Sequence, residues 1–165
     1  SNYLTYGDER TAAAYNLKYL AILFSHGTSK VFFHQRTWPL GLSKRSPRIH
    51  FEMLFDYGPT PHKFFVATNA MAWLLPPGTK PGVPVTETGP LFAYGFERPN
   101  DRALLAWTDG AEVALSRDLL ERMQGVAAYD MMGGRLDQLA AFGDDPVYLI
   151  GSPARIKALE KLLQP

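Results

Sequence analysis

The chain contains no cysteine, which excludes disulfides and thiolate-bound metals but does not fix a cellular compartment. Neither sign of charge is in excess, because 17 Lys and Arg residues balance 16 Asp and Glu residues to a net charge of +1. This balance argues against nucleic acid or an anionic membrane as the main partner. No apolar run is long enough to span a bilayer. The four histidines lack metal-ligand spacing and no glycine-rich loop opens a helix, so we predict neither metal nor cofactor.

What the chain does have is enough apolar sequence to build a core. Hydrophobic residues make up 46% of the 165 residues and charged residues 20%, which is typical of a folded globular protein. This length suits one full domain or two small ones.

The first half of the chain predicts a helix from Thr11 to Ser25. Asp8 is placed to cap it, and Gly27 is placed to end it in a left-handed conformation. One face repeats apolar residues at helical spacing: Ala13, Leu17, Leu20 and Phe24.

The next stretch, Lys30 to Gln35, predicts a strand covered on both faces. Val31, Phe32 and Phe33 are consecutive rather than alternating, which favours a parallel strand inside an α/β fold. A long segment, Arg36 to Thr60, has the length of a functional loop.

A second helix is predicted from Pro61 to Leu75, with Thr60-Pro61 as its start and Pro76-Pro77-Gly78 as its end. The proline-rich break marks a domain boundary, dividing the chain into residues 1–78 and 79–165.

Beyond this boundary the apolar period changes from 3.6 to 2. Phe92, Tyr94 and Phe96 alternate with smaller or polar residues, and Ala103 to Trp107 follows as a second strand. Asp109-Gly110 predicts a hairpin to a third strand. Further short strands and turns, including Arg135 to Ala140, lead to a closing helix after Ser152-Pro153. We therefore predict α/β plus all-β architecture, in which an antiparallel, sandwich-like β-domain with a C-terminal helix follows a helix-strand-helix unit.

Three groups of residues carry a resemblance to a known family. In chain order they are Asp8–Tyr15 leading through His26-Gly27 into Lys30–Phe33, then Leu54–Phe64, then Leu104–Thr108 with Tyr129–Gly133 and Asp145–Gly151. Their order and spacing resemble the C-terminal part of retaining glycoside hydrolases with a (β/α)8 barrel, the clan of β-xylosidases, β-galactosidases and endoglucanases. The second group is similar to that clan's D-x-x-G-x-P-K-P-x-Y entry to helix eight, although His62-Lys63-Phe64 departs from it.

The resemblance implies that residues 1–78 are helix seven, strand eight and helix eight of a barrel, and that residues 79–165 are the appended β-sandwich. These enzymes use two carboxylates about 5 Å apart. By analogy both would lie upstream of Ser1, so the chain alone is predicted to be inactive and to contain no catalytic residue. Glu9 lies close, but an acidic residue in the first turn of a helix is a routine partner of the helix dipole.

Four residues are candidates for substrate binding at the carboxyl end of the predicted strand: His34, Gln35, Arg36 and Trp38. Polar side chains can bind sugar hydroxyls, and an indole can stack on the apolar face of a pyranose ring. The alternative is that His34 or Gln35 is a hydrogen-bonded core residue and that Trp38 packs a loop.

Other conspicuous residues are predicted to be structural. Trp73 and Trp107 are expected in the core rather than as ligand platforms, and Asp109 and Asp130 are expected in turns. Asp144-Asp145 is an isolated acidic pair.

The expected partners are a carbohydrate substrate and the remainder of the barrel, supplied by the same gene or by a partner chain. Self-association into a homo-oligomer is also expected of a barrel remnant with uncovered apolar faces. Two alternatives stay open: a non-catalytic carbohydrate-binding or protein-interaction module, and a self-sufficient small α+β domain of unrelated function.

Overall fold

The computed structural model describes residues 8–32 and 61–164. The helices of this part are α1 (Glu9–Ser25), α2 (Lys63–Leu74), α3 (Arg117–Arg122) and α4 (Pro153–Leu163). Its strands are β1 (Val83–Thr86), β2 (Leu91–Glu97), β3 (Arg102–Thr108), β4 (Val113–Ala114), β5 (Ala127–Tyr129), β6 (Arg135–Leu136), β7 (Ala141–Phe142) and β8 (Val147–Gly151).

Helix α1 forms where its local signals predict it. The Asp8 carboxylate accepts the Thr11 N–H at 2.8 Å and caps the amino end. Gly27 follows the helix with a φ of 86°, a conformation that glycine adopts without steric cost. The predicted helix, its cap and its glycine are therefore confirmed.

The described part of the predicted strand is not a strand. Lys30 to Phe32 have no regular structure, and Phe32 is 88% exposed. Val31 packs against the core, whereas the neighbouring Phe32 side chain is exposed. The prediction that both faces are covered is wrong for these residues, while Phe33, His34 and Gln35 lie outside the described residues.

Helix α2 begins two residues later than predicted. Its first residue is Lys63, Pro61 precedes the helix, and the N-cap residue His62 makes no capping bond through its side chain. The predicted proline start is wrong because the cap comes from another element: the Glu9 carboxylate of α1 accepts the Lys63 N–H. Thr60 lies outside the described residues.

The second half forms a mostly antiparallel β-structure, as predicted. The described strands make a six-stranded sheet in the order β1-β2-β3-β8-β5-β6 and a two-stranded sheet of β4 and β7. Strands β2 and β3 pair along their whole length, from Leu91 opposite Thr108 to Glu97 opposite Arg102. The Arg98 N–H donates to the Asp101 carbonyl at 3.0 Å and closes the predicted turn between them.

The predicted hairpin at Asp109-Gly110 is wrong. The chain turns there, with Gly110 at a φ of 86°, but β4 pairs with β7 rather than with β3. Both edges of β3 are already occupied by β2 and β8, so no hydrogen-bonding edge remains for β4. The predicted strand from Arg135 to Ala140 is also shorter, because β6 ends at Leu136.

Helices cover both faces of the six-stranded sheet. The first face packs on α1 and α2, and its buried residues include Tyr94, Phe96, Ala103, Leu105, Trp107 and Tyr148. The second face packs on α3, α4 and the small sheet, and its buried residues include Ala93, Leu104, Ala106 and Leu149. The residues predicted as two domains thus share one hydrophobic core, and the boundary at residue 78 stays a prediction.

A buried ion pair ties α4 to the second face. Arg102 Nε on β3 lies 2.6 Å from Glu160 Oε1 on α4, and both side chains are almost wholly buried. Gly95 on β2 lies directly beneath the pair, and a Cβ there would overlap the Glu160 carboxylate and stand 2.6 Å from Arg102 Nη2. Glycine at this position therefore permits the ion pair to form.

Substitution of this glycine tests the close approach. Gly95→Ala should lower the free energy of unfolding by roughly 1–3 kcal/mol, because the methyl group displaces a buried charged pair. Urea denaturation followed by circular dichroism measures the change. Gly143→Ala is the matched control, since a Cβ at Gly143 meets no atom within 4 Å. Equal stability of the two variants would contradict the packing described for Gly95.

Candidate functional site

The four predicted substrate-binding residues, His34, Gln35, Arg36 and Trp38, lie outside the described residues. The described elements that flank them in the sequence are α1, followed by residues up to Phe32, and α2, preceded by Pro61 and His62.

The amino ends of α1 and α2 are held together by Glu9. Its Oε1 lies 3.0 Å from His62 Nδ1 and accepts the Lys63 N–H at 2.5 Å. One carboxylate, 28% exposed, therefore contacts the first residues of α2 while sitting in the first turn of α1. Negative charge at a helix amino end is favourable, and here it acts on two helices at once.

The carboxyl ends of the same helices also lie together. Leu20 and Phe24 of α1 line the same cavity as Met71 of α2 and Leu75, its C-cap residue. Because like ends are adjacent at both termini, the helices lie side by side and point in the same direction.

The cavity between these carboxyl ends measures about 530 Å³. Apart from the helices, it is bounded by the proline-rich segment 76–81 and by Phe96 of β2. Val31 also lines it, so the stretch after α1 enters this space before the undescribed segment begins.

Glu9 is not a free carboxylate in this structure. Its contacts to His62 and Lys63 give it a structural role at the helix ends, and its place in the first turn of α1 agrees with the prediction that it is a helix-dipole partner. The sequence predicts that Glu9 interacts with the dipole of α1. It does not predict the contact of Glu9 with the amino end of α2, because no local sequence pattern shows that the two helix ends lie together.

The acidic pair Asp144-Asp145 also has structural partners. Asp145 Oδ2 lies 2.6 Å from Arg10 Nε, and Asp144 Oδ1 lies 2.6 Å from Lys18 Nζ. The Lys18 side chain is only 10% exposed, so its charge is largely shielded from water and paired. These contacts fix α1 to the loop between β7 and β8.

The turn aspartates behave as predicted. Asp130 Oδ1 accepts the N–H groups of Met132 and Gly134 at 2.9 and 2.8 Å and so shapes the turn from β5 to β6. The Asp109 N–H donates to the Pro90 carbonyl at 2.9 Å in the turn after β3.

The two described tryptophans differ sharply. Trp107 is 3% exposed and stacks on Phe92 and Tyr94 with centroids 5.9 and 5.2 Å apart, so its predicted place in the core is confirmed. Trp73 is 61% exposed, and its predicted place in the core is wrong. The buried stripe of α2 includes Met71 and Leu74, and Trp73 lies beside that stripe. Closer attention to helical spacing could have found this.

No known relative guides the assignment. No family model matches the chain, and neither the curated proteins nor the solved structures contain a match.

Four described side chains have shifted pKa values, and each shift favours the form that the group already has at neutral pH. The Thr11 N–H and hydroxyl lower the pKa of Asp8, and the Lys80 ammonium lowers the pKa of Glu97. Burial raises the pKa of Tyr94, with a further rise from its hydrogen bond to Glu87, and burial alone raises that of Tyr148. These carboxylates stay ionised and these phenols neutral.

Within residues 8–32 and 61–164, no three His, Asp or Glu side chains are grouped as metal ligands. None of the helices in this part of the chain is long and apolar enough to cross a membrane.

The Glu9 contacts can be tested by truncation. Glu9→Ala should lower the free energy of unfolding by about 1–3 kcal/mol, because the Lys63 N–H and the His62 ring lose their common acceptor. Glu9→Gln keeps an acceptor oxygen and should lose less. Urea denaturation measures both variants.

Glu121→Ala is the control for this experiment, since it removes an exposed glutamate from the helix α3. If Glu9→Ala cost no more than Glu121→Ala, the joining of the two helix ends by Glu9 would be contradicted.

Proposed function

We propose that the chain is the C-terminal part of a retaining glycoside hydrolase with a (β/α)8 barrel. Helices α1 and α2 are its seventh and eighth helices, and residues 79–165 form its accessory β-domain. His34, Gln35, Arg36 and Trp38 contribute to the wall that binds the carbohydrate. The two cleaving carboxylates come from the remainder of the barrel, and this chain alone does not hydrolyse glycosides.

The parallel arrangement of α1 and α2 is the observation that supports this proposal. Successive helices of a βα barrel lie side by side in the same direction, with a strand returning between them. Helix α2 has 12 residues and spans about 18 Å. Residues 30–32 form no strand, so the proposal places the return after Phe32, where a strand of about six residues would span about 20 Å and cover this length.

The same arrangement bears on where the sugar would bind. A strand that starts near the carboxyl end of α1 and runs back along the helices ends near Glu9 and His62. Chemistry in βα barrels gathers at the carboxyl ends of the strands, which is the end where the helices begin. In this proposal Arg36 and Trp38 come closest to this end, because His34 and Gln35 lie within the predicted strand.

The attachment of the β-domain also supports the proposal. The six-stranded sheet shares a core with α1 and α2, and the Arg10–Asp145 and Lys18–Asp144 pairs fix it to α1. A domain bound to the helices in this way is carried rigidly on the barrel.

The exposed indole of Trp73 favours a second candidate, a non-catalytic carbohydrate-binding module. Such a module needs an accessible aromatic surface and does not need carboxylates. The two candidates differ in whether a longer product containing this chain has glycosidase activity.

The deciding experiment compares this chain with the longest product of its gene on aryl β-xylosides, β-galactosides and β-glucosides. We expect hydrolysis by the longer product and none by this chain. In the longer product, Trp38→Ala should raise KM about tenfold with a smaller effect on kcat, and Trp38→Phe should restore part of the affinity. Leu120→Ala, which changes an exposed residue of α3, is the control.

Absence of hydrolysis by the longer product, together with oligosaccharide binding by this chain, would overturn the proposal in favour of the binding module. So would an upstream gene sequence without further βα units.

A further inference from the structure

Trp73 is an exposed indole held in a fixed orientation. The Tyr129 ring on β5 meets it edge-on, with centroids 5.7 Å apart and planes at 88°. The turn at Gly133 lies against it as well, since a Cβ at Gly133 would stand 4.0 Å from Trp73 Cε3 and 3.2 Å from Ala70 Cβ. These contacts secure one side of the indole, and 61% of the side chain remains accessible.

The register of α2 and of the sheet places two polar residues on the side of the protein that carries this indole. Asn69 precedes Trp73 by four residues on α2, so the two share a helix face, and Asn69 is exposed. Arg135 pairs with Tyr129 across β5 and β6, so both side chains leave the sheet on the same face. Arg135 is exposed, and no acceptor for it is found among the described residues.

Among the described residues, the accessible apolar surface around Trp73 is small compared with a stable protein interface. A tryptophan contributes about 150–250 Å² of contact area, whereas a specific protein interface buries about 1,200–2,000 Å². Tyr129, which contacts Trp73 from the sheet, is already partly buried. A single fixed ring with hydrogen-bonding groups around it matches one or two sugar units instead.

We propose that Trp73, with Asn69 and Arg135, forms a saccharide-binding surface. The C–H groups on one face of a pyranose ring carry partial positive charge and stack on the electron-rich face of the indole. The amide and the guanidinium donate hydrogen bonds to hydroxyl groups at the ring edge. Tyr129 and Gly133 are positioning residues, because they orient the indole before the sugar arrives. The choice of a saccharide rests on the proposed function, but binding here requires no hydrolysis.

The test is titration of this chain with xylo- and cello-oligosaccharides, monitored by tryptophan fluorescence and by calorimetry. We expect Trp73→Ala to weaken binding about tenfold and Trp73→Tyr to weaken it less. Tyr129→Ala should weaken binding several-fold and increase the mobility of the indole, which fluorescence anisotropy detects. Tyr19→Ala is the matched control, since Tyr19 is an aromatic residue of α1 with 60% exposure.

Binding that is unchanged in folded Trp73→Ala, or undetectable binding by the folded chain, would overturn the inference. Self-association that Trp73→Ala abolishes would also overturn it, because it would identify the surface as a contact between copies. Glycosidase activity of the longer product is measured separately. Activity without binding at Trp73 refutes only this inference, and binding without activity refutes only the proposed hydrolase.

Discussion

The burial of α1 and α2 against one face of the antiparallel sheet is the constraint on which the rest of the structure depends. The two helices bury their apolar faces by packing on the sheet. The large sheet side chains that they cover are Tyr94, Trp107 and Tyr148. Burying such side chains is worth about 1.5–3 kcal/mol each. Fixing both helices to one surface also fixes them relative to each other, and Glu9 completes this by joining their amino ends.

The proposed function depends on this constraint. Two parallel neighbouring helices cannot be joined by a short turn, because a connecting chain has to return along their length. The proposal supplies that return with one strand, so that the residues at its carboxyl end would lie where both helices begin. The functional proposal thus depends on helix direction, which packing determines, rather than on any single motif.

Much of the fold could be predicted because the signals are local. Asp8 caps α1 three residues away, Ser116 caps α3 by accepting the Leu119 N–H, and alternation identifies β2. Where non-local contacts decide, prediction failed. The start of α2 depends on Glu9, 54 residues earlier, and the hairpin at Asp109 was prevented by β8, which joins β3 from the far end of the sequence.

The candidate site was harder to predict, for related physical reasons. Asp144 and Asp145 seemed unpartnered because Lys18 and Arg10 are distant in sequence. Trp73 was assigned to the core from its chemistry, although its position beside the buried stripe of α2 leaves it exposed. Four residues, His34, Gln35, Arg36 and Trp38, stay candidates on sequence grounds, because they lie outside the described residues.

The direction of α1 relative to α2 is therefore the claim to measure. The chain has no cysteine, so spin labels can be attached at chosen pairs without interference. Pulsed electron-spin resonance would compare Arg10→Cys/Lys63→Cys with His26→Cys/Lys63→Cys. Parallel helices predict that the second distance exceeds the first by roughly 15–20 Å, somewhat less than the length of about 24 Å between residues 10 and 26, because the separation across the helices enters both distances. A shorter second distance would mean antiparallel helices, with no returning strand between them, and would contradict the account.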